Sequence, residues 1–77
     1  MNVTKLPQQS EQEQALALVH DHDKKLDIAE WLKNGNGGHF AQGLGNCLIY
    51  ADSWNLNRVA KAFPDIILDA WRILQRR

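Results

Sequence analysis

The sequence predicts an all-α domain, a compact bundle of four or five short helices, and three observations support this fold class. Apolar residues recur at spacings of three and four along most of the chain, which is the period of one helical face. No stretch shows the strict apolar–polar alternation of a β-strand. The asparagine- and glycine-rich segment 34–38 and Pro64 divide the periodic stretches into short pieces.

Residues 1–10 are predicted to be a flexible polar arm, and residues 11–77 a single helical domain. Ser10 is the predicted N-cap of the first helix, because Glu13 three residues later completes a capping box. An apolar face follows at helical spacing; with His22 among its members, it comprises Ala15, Leu18, Val19, Leu26, Ala29 and Leu32.

The segment His20-Asp21-His22-Asp23 leaves two interpretations open for residues 11–33. The apolar face continues through it, which permits one long helix. Aspartate and histidine are poor in helix interiors and aspartate is a good cap. We therefore favour a break at this segment, with Asp21 or Asp23 capping a second helix over residues 24–34.

The glycine-rich segment 34–38 predicts a helix end and a tight turn, since glycine and asparagine tolerate positive φ. A helix over 39–51 is expected next. Its predicted buried face comprises Phe40, Leu44, Cys47, Leu48 and Ala51. Gly43 and Gly45 lower the helix propensity of this segment, and the compensation that we expect is close approach of another helix.

Two further helices complete the expected domain. The first covers 54–63, after a cap at Asp52 or Ser53, and Pro64 ends it at a position where a first helical turn accepts proline. The second covers 65–75, with Asp65 at its positive end. The predicted apolar faces of the two helices comprise Leu56, Val59, Ala60 and Phe63, and then Ile67, Ala70, Trp71 and Leu74.

The composition of the chain argues against several classes of function. The 77 residues carry nine basic and nine acidic side chains, so the basic excess typical of nucleic-acid binders is missing. Cys47 is the single cysteine and cannot form an internal disulfide. No apolar run approaches the roughly 20 residues that span a bilayer. We expect a cytoplasmic protein without a membrane partner, and a chain this short commonly gains stability by self-association.

The histidine- and aspartate-rich segment 20–23 could suggest a metal site. His20 and His22 point apart on a helix, and no spacing nominates a third ligand, so a capping role is favoured. Cys47 lies in the predicted apolar face, where a thiol behaves as a small hydrophobe. The glycine segment lacks the Gly-Lys-Ser/Thr that ends a phosphate loop. We therefore predict no catalytic residue, metal or cofactor, and no enzyme.

A pattern over residues 35–66 resembles short helical proteins encoded by bacteriophages and integrated mobile elements. A glycine pair and a phenylalanine lead into a helix, and an Ala-Asp pair, an asparagine and an Ala-Phe-Pro ending follow. The residues that carry the resemblance are Gly37, Gly38, Phe40, Asn46, Ala51, Asp52, Asn55 or Asn57, Ala62, Phe63 and Pro64. The resemblance implies a phage or prophage origin and a helical fold, and it implies no activity.

We expect an accessory protein that binds a host or phage protein and inhibits or modulates it, for example a defence protein. Surplus apolar and aromatic surface motivates this prediction, and a homodimer through the C-terminal helix would use the same surface. The predicted interaction surface comprises Trp54, Ile66, Leu68, Trp71, Arg72 and Ile73.

The alternative function is a DNA-binding regulator resembling a helix-turn-helix protein, built from residues 54–63 and 65–75. Its predicted nucleic-acid contacts are Arg58, Lys61, Arg72, Arg76 and Arg77. The second helix presents Asp65 and Asp69 in the half that would face the bases. Nucleic-acid binding is therefore not favoured.

Overall fold

The structure, a computed structural model, describes residues 9–76, and this part of the chain is all-α with no strand. The predicted fold class is confirmed. The five helices are α1 (Gln9–Val19), α2 (His22–Lys33), α3 (His39–Tyr50), α4 (Ser53–Ala62) and α5 (Pro64–Gln75). Most of the predicted arm, residues 1–8, lies outside the described residues.

The start of α1 differs from the prediction. The helix begins at Gln9, so Ser10 lies inside α1 and is not its N-cap. Glutamine is among the better helix formers, and it allows the helix to continue through Ser10 toward the N-terminus.

Residues 11–33 form two helices, as the favoured interpretation predicted. The backbone N–H of Asp21 donates to the carbonyl of Leu18 at 3.2 Å, which closes the end of α1. Asp21 itself is extended, and its carboxylate accepts a hydrogen bond from the backbone N–H of Lys24 at 3.2 Å. Asp21 is therefore the N-cap of α2, which begins at His22.

The predicted turn over 34–38 is confirmed. Gly35, Gly37 and Gly38 all adopt positive φ, between 92° and 103°, a region that other residues enter only with strain. The Asn36 side chain donates a hydrogen bond to the carbonyl of Trp31 at 2.8 Å, which holds the turn against the end of α2. The turn reverses the chain so that α3 packs on α2.

Close packing of α3 on α2 depends on Gly45. A Cβ atom at this position would lie 2.6 Å from the carbonyl oxygen of Ala29 and 2.7 Å from the backbone nitrogen of Lys33. Gly43, by contrast, has nothing within 4 Å of such an atom. The predicted close approach of another helix is therefore correct for Gly45 and wrong for Gly43 within the chain.

The buried face of α3 differs from the predicted one. Ala41, Leu44, Gly45 and Leu48 are buried against α2, whereas Phe40 is 61% exposed and Cys47 is also exposed. Two helix backbones this close leave room for small residues between them, so α3 turns Ala41 and Gly45 inward. The prediction that Phe40 and Cys47 are buried is wrong for this reason.

α5 has three neighbouring helices. It packs on α1, α2 and α4, whereas α3 packs extensively on α2 only. Phe63 alone separates α4 from α5, and Pro64 occupies the first position of α5 as predicted. The carboxylate of Asp52 caps α4 by accepting a hydrogen bond from the backbone N–H of Asn55 at 2.9 Å.

Apolar side chains from all five helices form the core. No polar or charged side chain within residues 10–76 is buried, and the ion pairs Lys24–Asp21 and Arg72–Asp69 lie at the surface. Such exposed pairs contribute little stability, so apolar packing holds the fold together. The core comprises Ala15, Leu18, Val19, Ile28, Ala29, Leu32, Ala41, Leu44, Leu48, Leu56, Ala60, Ile67, Leu68 and Ala70.

The two glycines of α3 are expected to respond oppositely to alanine. Gly45→Ala should lower the free energy of unfolding by about 1–3 kcal/mol, because the new methyl group overpacks the contact with α2. Gly43→Ala should raise it by about 0.5–1 kcal/mol, because alanine favours the helix and meets no neighbour. Urea unfolding in dilute solution measures both, and effects of the same sign would contradict this packing.

Candidate protein-binding surface

Of the six residues predicted to form an interaction surface, three are exposed, two are half-buried and one is core. Trp54 is 71% exposed on α4, and Ile73 is 40% exposed on α5. Leu68 is only 6% exposed and belongs to the core, not to a surface. α5 packs on α1, α2 and α4, so its neighbours cover more than one of its sides and bury Leu68 in addition to Ile67 and Ala70.

The other three predicted residues make contacts within the chain. Trp71 is half-buried, with the ammonium group of Lys24 5.6 Å from its ring centroid. Arg72 pairs with Asp69 one turn earlier on α5. Ile66 is half-buried in a groove beside α2 and α3. The C-terminal helix thus does not present these residues as one free apolar face.

The side of α3 turned away from α2 is the most apolar exposed helix face. Tyr50 is 83% exposed and Phe40 61% exposed, and Gly43, Asn46 and Cys47 lie exposed between them. We call these five residues the α3 outer face. Their spacings of three and four residues place them along one side of the helix.

The α3 outer face has the composition of an interface and not of a solvated surface. Within residues 9–76, α3 is the one helix that contains no aspartate, glutamate, lysine or arginine. The cores of protein–protein interfaces are depleted in charge and enriched in aromatic residues. Exposed Phe40 and Tyr50 on an uncharged helix therefore mark a surface suited to contact with another protein.

A shallow groove of about 200 Å³ lies beside this face, between α2, α3 and α5. Trp31, Phe40 and Ile66 contribute its apolar walls. The Phe40 ring packs edge-on against Phe63, with the ring centroids 5.2 Å apart, which fixes the wall on the α3 side. Small-molecule sites usually enclose about 300–1,000 Å³, so this groove matches a single apolar side chain of a partner better than a cofactor.

The histidine- and aspartate-rich segment 20–23 serves the fold. Asp21 caps α2, as described above, and the ring N–H of His20 donates to the side-chain oxygen of Asn57 on α4 at 2.6 Å. His22 is exposed at the first position of α2. Within the described residues, no three histidine, cysteine, aspartate or glutamate side chains converge as metal ligands. The segment thus joins helices, which is the role that the sequence favoured.

The predicted nucleic-acid contacts divide between two places. Arg58 and Lys61 lie on α4, where they line a shallow pocket of about 140 Å³ with Trp54 and Asn57. This cluster has a basic and an aromatic component, and both elements are typical of nucleic-acid surfaces.

The predicted nucleic-acid contacts on α5 do not combine with the α4 cluster to form a DNA-recognition helix. Arg72 is paired with Asp69, and Arg76 follows the last turn of α5. Asp65 and Asp69 are exposed in the first half of the helix. Arg77 lies outside the described residues. A helix that presents carboxylates from its N-terminal half repels phosphates.

Sequence reasoning missed Tyr50 and assigned Phe40 and Cys47 to the core. The signal that could have identified this surface is the lack of any charged residue over 39–50. A helix buried on one side only normally carries charge on the other.

Comparison with known proteins found no matching family model, curated protein or solved structure. No helix within residues 9–76 combines the length and the apolar character needed to cross a bilayer. The proposed function therefore rests on the geometry of the chain itself.

Excess zinc should leave the melting temperature unchanged, because Asp21 caps α2, His20 bonds to Asn57, and no three potential ligands converge within the described residues. His20→Ala should lower the free energy of unfolding by about 0.5–1.5 kcal/mol through loss of its bond to Asn57, with or without zinc. Thermal unfolding with zinc and with a chelator tests this. A zinc-dependent rise in melting temperature that His22→Ala removes would contradict it.

Proposed function

We propose that this chain is a non-catalytic protein-binding domain that contacts its partner through the α3 outer face. The observation that carries the proposal is the exposure of Phe40 and Tyr50 on a helix with no charged side chain. Neither ring is needed to fill the core, since the buried face of α3 is formed by other residues.

The two rings are large enough to anchor a complex. Each leaves on the order of 100–200 Å² exposed, and burial of that area gains about 2.5–5 kcal/mol at about 25 cal/mol per Å². Binding energy at interfaces is typically concentrated in a few such aromatic anchors. The groove beside Phe40 offers a matching recess for an apolar side chain of the partner.

The partner that we propose is a host or phage protein in the cytoplasm of a bacterium, which the chain inhibits or modulates. The resemblance of residues 35–66 to short proteins of bacteriophages and mobile elements supports this origin. The segment contains the whole of α3, and Phe40 and Asn46 belong both to the resemblance and to the proposed binding surface.

Affinity capture from a bacterial lysate tests the proposal when wild type is compared with a double variant, Phe40→Ser with Tyr50→Ser. The double variant should lose its partner, with affinity reduced by about 100-fold or more, because each aromatic anchor contributes about 2 kcal/mol or more. Ile73→Ser, which removes an exposed apolar residue on α5, is the matched control. A partner kept by the double variant and lost by the control would refute the α3 surface.

DNA binding is the second candidate, favoured by the cluster of Arg58, Lys61 and exposed Trp54 on α4. We expect no shift of duplex DNA in gels even at low salt, because the chain has no net positive charge. Binding that falls steeply with salt, and that disappears in Arg58→Gln with Lys61→Gln, would instead support the regulator.

A further inference from the structure

The α3 outer face has a symmetric order of large and small residues. Phe40 and Tyr50 lie five residues before and after Gly45, and Gly43 and Cys47 lie two residues before and after it. The face therefore has an aromatic ring at each end and a small residue next to each, with Asn46 beside Cys47. This order suits an antiparallel two-fold contact, in which each ring meets a ring and each small residue meets a small residue.

Gly43 supplies an independent observation. Glycine within a helix lowers stability, and nothing in the chain lies within 4 Å of the position that a Cβ atom would occupy at Gly43. The equivalent space at Gly45 is filled by the backbone of α2. α3 thus has a glycine for close helix approach on each of two faces, one occupied by α2 and the other open.

The absence of charge favours a second copy of the chain as the occupant. When identical faces meet about a two-fold axis, a charged residue near the axis is brought close to its own copy. The α3 outer face carries no charged residue, so two copies can approach without that repulsion. A partner selected by charge complementarity would gain nothing from this face.

The area of the α3 outer face indicates how stable a dimer through this face can be. The helix is about 18 Å long, and with its aromatic rings it offers about 400–600 Å² per copy, or about 1,000 Å² in total. This lies below the roughly 1,600 Å² of a standard stable interface. An interface of this size is typical of a weak, transient dimer.

We infer that the α3 outer face pairs with the same face of a second copy, antiparallel and with the two-fold axis near residue 45. In this pairing Phe40 meets the partner's Tyr50, and Gly43 meets the partner's Cys47. The inference rests on the proposed function because it uses the same surface, and a second copy would compete there with the host or phage partner. It places the dimer contact on α3 and not on the C-terminal helix.

Light scattering over about 1 µM to 1 mM tests the pairing. The mass of the wild-type chain should rise from 8.8 kDa toward twice that value. Gly43→Glu should remain monomeric throughout, because the new side chain fills the close approach and brings two carboxylates together. Its fold should persist, since glutamate is a good helix former and the site is open. Circular dichroism checks this, and Ile73→Ser should dimerise as wild type does.

The thiol of Cys47 provides a second measurement. It is exposed in the single chain and would face the partner's Gly43 in the pair. Its alkylation by iodoacetamide should slow about tenfold as the wild-type concentration rises through the dimerisation range. In Gly43→Glu the rate should not depend on protein concentration.

The outcomes separate the inference from the proposed function. A wild-type chain that stays monomeric, or a dimer that survives Gly43→Glu, overturns the α3 pairing. A monomer whose captured partner still depends on Phe40 and Tyr50 would retain the proposed function alone. A dimer that depends on Gly43, in a chain that captures no other protein, would retain the pairing and refute binding to a host or phage protein.

Discussion

The contact between Gly45 and the backbone of α2 determines the character of this molecule. Because the backbones of α2 and α3 approach within the space of a single methyl group at this point, the interface between them admits Ala41 and excludes a ring. Phe40 is consequently placed at the edge, where it packs against Phe63 and borders a groove. The exposed position of Phe40 is thus linked to the close contact between α2 and α3 at Gly45.

The two segments whose composition could suggest a metal site or a phosphate loop have local structural roles. Asp21 and His20 end one helix, start the next and tie the junction to α4. The three glycines of segment 34–38 supply backbone conformations that other residues resist. The exposed aromatic residues of the α3 outer face have no such structural role. For this reason we propose protein binding as the function.

Helix number and most helix ends could be predicted from sequence because their causes are local. Asp21, Asp52, Pro64 and the glycine segment each act on the few residues beside them. The face that α3 buries could be predicted only in part. Apolar periodicity correctly identified Leu44 and Leu48, whereas the burial of Ala41 and Gly45 in place of Phe40 and Cys47 depends on the distance to a neighbouring helix. The burial of Leu68 likewise depends on the contacts of α5 with other helices, which the neighbouring sequence does not specify.

The one-residue junction at Phe63 has a consequence for how this chain can vary over evolutionary time. Because a single residue separates α4 from α5, the junction cannot accommodate an insertion or deletion without moving one of the two helices. Since each residue turns a helix by about 100°, a length change at the junction would rotate Ile67 and Ala70 away from the interior. Descendants of this gene are therefore expected to keep the spacing at this junction fixed.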